Sequence, residues 1–301
     1  MSIGCIIPNS GEIAAHRNPI DMARVAEAAG SQGLWVSDHL LMVDSFVDYY
    51  PYSDDGRLTW DVTDNYLETL MCCAAMAAVT TTAVVVPAVM ILPQRNVLQV
   101  AKEAATLDLL SKGRFVLGVG SGWNILEMEA LGYPFQGRTK RFEEQMEVLT
   151  DCWSGRPKAF AGEQVSVPDD VVLHPLPVNG SCVPILLGGM ATPALRRAAR
   201  VGGWMAISAA HVWDTEGMGA SMRAYRDFCD ELGTVARPVL KLHSDPSSNH
   251  LVKSVVADAL ENLGFLHVII DPPWIAGDGA AAEMIESMSD FFSSTPLTSY
   301  W

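Results

Sequence analysis

At 301 residues, 49% hydrophobic and 18% charged, the chain carries enough apolar content for a large buried core. Its 35 acidic against 20 basic side chains give a formal charge of -15, which repels phosphate backbones and anionic bilayers and argues against nucleic-acid or membrane partners. The six cysteines (Cys5, Cys72, Cys73, Cys152, Cys182 and Cys229) form no C-x-x-C pair, and Met1 to Pro8 lacks the basic and apolar regions of a signal peptide, so reduced thiols and a cytoplasmic location are expected.

Ile3 to Ile7 reads as a first strand ended by Pro8-Asn9, and Pro19 to Ala29 as a helix with Met22, Val25, Ala26 and Ala29 on one face, stopped by Gly30. Gly33 to Val36 is a second strand that delivers Ser37-Asp38-His39 at its carboxyl end. The stretch from Asp44 to Asp61, with Tyr49, Tyr50, Tyr52 and Trp60, has the composition of an active-site loop. A helix from Asp64 to about Val79 precedes a third strand, Ala83 to Val89, in which Pro87 predicts a bulge or bend. Asn96 to Leu110 then stripes Val97, Val100, Ala101, Ala104 and Leu107 along one helix face. It feeds Phe115 to Val119, a short apolar run of the kind covered on both faces in parallel sheets, which opens into Gly120-Ser121-Gly122. Gly118-x-Gly120-x-Gly122 places its third glycine one residue early for a dinucleotide fingerprint, and this strand is the fourth rather than the first.

Arg138 to Trp153 is helical, with Phe142, Met146, Leu149 and Trp153 inward and Arg138 and Arg141 expected on a solvated or salt-bridged face. Gly155 to Cys182 reads as an insertion. Pro184 to Leu187 is a fifth strand ending at Gly188-Gly189, after which Thr192-Pro193 opens a helix. Trp204 to Ser208, Val239 to Leu242 and Leu266 to Ile270 are the last three strands, ending near His211, at His243-Ser244-Asp245 and at Asp271-Pro272-Pro273-Trp274, with amphipathic helices between and after them. Eight strand-helix units in strict alternation predict an α/β fold, an eight-stranded parallel βα barrel (TIM barrel) in one domain, 1-301, with an insertion between strands four and five.

The chemistry of such a barrel lies where its strands end, which gathers Asp38, His39, Gly118 to Trp123, Gly188, Gly189, His211, His243, Asp245 and Trp274. Glycines at two strand ends, with few basic residues, point to a flat, phosphate-bearing cofactor held through backbone amides. Lys241 in strand seven alone would fit Schiff-base chemistry, which no other residue supports, and the seven scattered histidines lack the His-x-His strand of a metal hydrolase.

Gly33-Leu34-Trp35-Val36-Ser37-Asp38-His39, the glycine loop continuing through Glu127 and Leu131-Gly132, Arg138-x-x-Arg141-x-x-Glu144, and Pro184-Ile185-Leu186-Leu187-Gly188-Gly189 together resemble the bacterial luciferase-like monooxygenase superfamily, over about nine-tenths of the chain. The resemblance is nearest to the branch that uses the deazaflavin coenzyme F-420. It implies a barrel, usually a homodimer, with F-420 or FMN across the strand ends and hydride or oxygen chemistry at the ring. Asp38 and His39 resemble the pair beside the reacting ring edge, and His39 suits proton exchange because an unperturbed imidazole titrates near ~6.5. The third strand resembles one that bulges beneath the ring, commonly at a non-proline cis peptide, here near Pro87-Ala88. By the same resemblance Ala88, Gly120, Ser121 and Gly122 approach the cofactor, and Gly188 and Gly189 bind its phosphate. Trp123 stands where some deazaflavin dehydrogenases carry a glutamate proton donor, which argues against sugar-phosphate oxidation.

The expectation is hydride transfer between coenzyme F-420 and a small organic substrate with His39 as acid or base. FMN-dependent oxygenation is the nearest alternative, and a non-catalytic flavin-binding barrel is the alternative of another class.

Overall fold

The computed structural model describes residues 2–44, 50, 56–58, 60–178, 180 and 182–292. Tyr49 and Tyr52 of the expected aromatic loop lie outside the described residues. The strands are β1 (Ser2–Ile6), β2 (Gly33–Val36), β3 (Val84–Pro87), β4 (Met90–Ile91), β5 (Leu117–Gly120), β6 (Phe160–Ala161), β7 (Ser166–Val167), β8 (Ile185–Gly188), β9 (Gly203–Ala209), β10 (Arg237–His243) and β11 (His267–Ile270). Ten α-helices accompany them among the described residues: α1 (Gly11–His16), α2 (Pro19–Ala28), α3 (Thr69–Val79), α4 (Val97–Ser111), α5 (Ile125–Ala130), α6 (Arg138–Cys152), α7 (Thr192–Val201), α8 (Thr215–Leu232), α9 (Asn249–Ala257) and α10 (Asp278–Phe292).

Nine strands form one sheet in the order β3-β2-β1-β11-β10-β9-β8-β5-β4, every neighbouring pair parallel. β3 and β4 are successive segments of one stave, interrupted at Ala88-Val89, whose peptide bond is cis. The second segment pairs with β5. The first meets the residues leading into β5, where Val85 N donates to Arg114 O at 2.9 Å and Val116 N to Val85 O at 3.2 Å. Counting the interrupted stave once gives the eight-stave barrel that the alternation of strands and helices predicts.

Alternation along the staves separates two apolar layers. Ile6, Trp35, Val84, Val86, Ala88, Val116, Leu186, Met205, Val239 and Ile269 cluster inside the barrel. The intervening residues face the helices and build the larger outer core. Truncating a fully buried member such as Leu186 to Ala costs ~2–5 kcal/mol.

Local chemistry sets the helix limits. Asn18 Oδ1 accepts from Ile20 N at 2.9 Å with Pro19 in the first turn of α2, and Asn96 Oδ1 caps α4 through Leu98 and Gln99. α3 begins at Thr69 rather than Asp64 because Glu68 caps it, accepting from Met71 N at 2.7 Å, while Leu67 N is drawn to Asn9 O. Among its described residues the insertion carries only the antiparallel hairpin of β6 and β7. Its turn is held by Glu144, whose carboxylate accepts from the amides of Glu163, Gln164 and Val165.

Arg141 corrects the expectation of a solvated face. It is buried, with Nε donating to Pro93 O at 2.9 Å and Nη2 to Pro134 O at 2.6 Å, because a long guanidinium with five donors can satisfy two turns at once. Arg138 Nε reaches Gly122 O at 3.3 Å. Five cysteines are buried and Cys182 is exposed, all as free thiols. Among the described residues no helix is long and apolar enough to cross a membrane.

Candidate functional site

β2 ends in the densest polar cluster of the barrel mouth. Asp38 is buried and spent within the protein: Arg95 binds it bidentately at 2.8 Å for each nitrogen, Thr69 Oγ1 donates at 2.7 Å and Ile91 N at 2.7 Å. Those bonds tie β2 to the residues just after the cis bond. The carboxylate, expected from the sequence to lie beside a cofactor, anchors the interrupted stave.

His39 is the next residue and is also buried. Its Nδ1 lies 2.6 Å from Glu127 Oε2, while Glu127 Oε1 accepts from Leu40 N at 2.7 Å and from Gln94 Nε2 at 2.8 Å. Asn124 Oδ1 caps α5 through Glu127 N at 3.1 Å, which fixes the carboxylate's own backbone. A carboxylate on Nδ1 sets the ring's orientation and leaves Nε2 as the nitrogen through which a proton would be exchanged. The sequence reading passed over Glu127, Gln94 and Arg95 as site residues. Glu127 was visible as part of the quoted motif, but its four-residue distance from Trp123 concealed that it meets His39.

Aromatic rings surround the imidazole. Tyr66 and Trp123 each approach it edge-on with centroids 5.4 Å away, and Trp60 lies at 6.2 Å. Tyr50 joins them, 5.3 Å from Trp60 and 5.2 Å from Trp123. Burial raises the Tyr66 hydroxyl well above the ordinary tyrosine range, keeping it neutral. The buried Trp60 Nε1 has no hydrogen-bond partner among the described residues.

The glycines expected to admit a cofactor make room for the chain itself. A Cβ on Gly118 would collide with Pro87 O, one on Gly120 would stand 2.6 Å from Val89 Cγ2, and one on Gly188 would stand 3.2 Å from Val89 Cγ1. Val89, just past the cis bond, thus occupies the gap between two neighbouring staves. At Gly122, with φ +74°, the space is taken by Ile91 Cγ2 at 2.6 Å. At Gly189, with φ +131°, it is taken by Ala194 Cβ at 2.7 Å. Ligand contact from Gly120, Gly122, Gly188 or Gly189 would come from their backbone, while the half-buried Ser121 also offers a hydroxyl. α7 follows Gly189 with no side chain capping its amino end among the described residues; Pro193 has no N–H and Ala194 N donates to Ala191 O at 2.8 Å, so Thr192 N is the donor left in the first turn.

Across the mouth, Lys241 on β10 reaches Ala88 O at 3.1 Å. His243 Nδ1 lies 3.6 Å from Asp271 at the end of β11. The other candidates fall to structural roles or to the rim. Trp274 is buried and donates to Ile6 O at 2.8 Å, Asp245 accepts from Ser247 and Ser248 in the turn before α9, and His211 is exposed.

Comparison with known proteins places this geometry. The family model described as "Luciferase-like monooxygenase" matches residues 3–243. An uncharacterized protein of Mycobacterium tuberculosis is 37% identical over 186 residues, which is 62% of this chain and 64% of that protein. The chain thus spans less than two thirds of the length of that relative. The F-420-dependent glucose-6-phosphate dehydrogenase of Amycolatopsis mediterranei is 27% identical over 178 residues, 56% of this chain and 48% of that enzyme. Among solved structures, the monooxygenase RslO1 from Streptomyces bottropensis shares the fold with a TM-score of 0.74 at 15% identity, over 96% of this chain and 98% of that one. The match of 3–243 extends from β1 to the end of β10 and takes in both walls of the mouth, so the chain belongs to the luciferase-like monooxygenase family.

Proposed function

We propose that the protein is an oxidoreductase that binds coenzyme F-420 at the barrel mouth and moves a hydride to or from a small organic substrate, with His39 handling the accompanying proton. The observation that carries this reading is the buried His39-Glu127 contact inside a ring of aromatic side chains. The donor set fits the cofactor: half-buried rings suit a flat heterocycle, Lys241 and the uncapped amino end of α7 suit its negative charge, and Trp60 Nε1 offers an unused donor.

When bound, the deazaflavin supplies a ring carbon that accepts or releases hydride. The chain does the rest. Glu127 holds Nδ1 of His39, so that Nε2 is the atom that takes or gives the proton, and the imidazolium formed on uptake is stabilised by the carboxylate. Trp60, Tyr66 and Trp123 exclude water and strengthen that interaction. Asp38 and Arg95 fix Ile91, and with it the stave beneath. Trp123 in place of a carboxylate leaves Glu127 as the acidic partner, which separates this site from one built for sugar-phosphate oxidation. The homodimer and the cytoplasmic location expected from the sequence belong to the same proposal.

The second reading is FMN-dependent monooxygenation of a small organic substrate, favoured by the family description itself. Parallel fluorescence titrations with F-420 and FMN separate the two. Binding of F-420 with turnover lost in His39→Ala supports hydride transfer. Binding of FMN alone, with oxygen uptake, replaces it by the second reading, and binding of neither removes both.

A further inference from the structure

Lys241 is a buried cation, matched above to the cofactor's charge but given no part in the hydride step. It is 7% exposed, and Nζ spans the barrel to Ala88 O, from β10 to the stave four places away past β11, β1 and β2. Among the described residues no carboxylate lies within ion-pair distance of it; Asp271, at the end of the adjacent stave, stands beside His243 instead. A carbonyl satisfies one N–H without neutralising the charge. Burial pushes the ammonium down to about 8, with Asp271 acting in the opposite sense, so it stays largely protonated at neutral pH. A cation held in a barrel without a direct ion pair is costly, and at a ligand mouth it is compensated when the ligand brings negative charge.

We propose that Lys241 binds the electron-rich carbonyl edge of the ring cofactor and favours its two-electron-reduced form over its oxidised form. The proposal rests on the reading that the mouth binds a deazaflavin or flavin. Hydride from the organic donor adds two electrons and one proton, and the ring is left with one negative charge unless a second proton follows. A fixed ammonium stabilises that charge without itself giving up a proton. Lys241 is then a cofactor-binding residue that tunes redox poise, and the Ala88 carbonyl aims it.

The test is anaerobic binding of oxidised and reduced F-420 and FMN to the wild-type protein, Lys241→Met and Lys241→Gln, with the potential of the bound cofactor measured in parallel. Lys241→Gln keeps a donor for the Ala88 carbonyl and serves if the methionine variant does not fold. In either variant the preference for the reduced form should fall about tenfold, which for a two-electron couple lowers the potential by about 30 mV. Lys241→Arg, which keeps the charge, should retain the preference. If Lys241 merely braces the stave, both redox forms weaken together and the potential stays put, which overturns the proposal while leaving the cofactor reading intact. Failure of the wild-type protein to bind either cofactor overturns both.

Discussion

On the β2 side of the mouth two buried carboxylates are saturated with donors, whereas on the β10 side a buried ammonium has a single carbonyl. Asp38 gathers Arg95, Thr69 and Ile91 N; Glu127 gathers His39, Gln94 and Leu40 N. Lys241 has Ala88 O. A saturated network holds its members in one geometry, as an exchangeable proton at a fixed place requires. An unbalanced charge is complete only when a ligand supplies its opposite. One wall is finished by folding, and the other by binding.

That contrast breaks first at Asp38. Asp38→Ala would leave the Arg95 guanidinium buried without its bidentate partner, and calorimetry should show a loss of ~3–5 kcal/mol; a loss under about 1 kcal/mol would mean that the network is not an anchor. Next, His39→Ala should lower turnover by roughly 10²–10⁴, or about 3–5 kcal/mol in barrier, with cofactor affinity nearly unchanged in titration. Gly120→Ala puts a methyl 2.6 Å from Val89 Cγ2, so denaturant unfolding should report ~1–3 kcal/mol of overpacking, and Gly188→Ala, at 3.2 Å, distinctly less.

The smallest effect lies deeper in the barrel, on β11. His267 is fully buried, bonded through Nδ1 to Ser2 Oγ, and burial pushes its imidazole down to about 3. Between that value and ~6.5 the unfolded chain binds the extra proton. Stability is therefore full above pH ~6.5 and falls by about 1.4 kcal/mol for each unit toward acid. Thermal melts at pH 5.5 and 4.5, both well inside that window, should show that slope, flattened in His267→Gln.

Much of the barrel was legible because apolar strands and amphipathic helices alternate with distinct periods, and strand ends marked the mouth without any knowledge of contacts. His39 was placed at the end of β2 that way. The interrupted stave was legible through Pro87, although the cis bond lies at Ala88-Val89, one bond beyond the expected place. The glycines were visible, but not their purpose, since nothing in the sequence says that Val89 projects between the staves of Gly120 and Gly188. Arg95, Gln94 and Glu127 were illegible as a group because they lie 57, 33 and 88 residues from the partners they bind. Arg141 misled for a related reason, its side chain being buried against the carbonyl of Pro93, 48 residues away, as well as that of Pro134 nearby.

The central claim is that a ring cofactor sits against His39 while Glu127 holds the imidazole's far nitrogen. The most direct measurement is nitrogen-15 NMR of the histidine rings during cofactor titration, with the His39 signal assigned from the His39→Gln spectrum. The account predicts that F-420 or FMN shifts Nε2 of His39 and leaves the hydrogen-bonded Nδ1 signal in place. Saturating cofactor that leaves both nitrogens unmoved would contradict it.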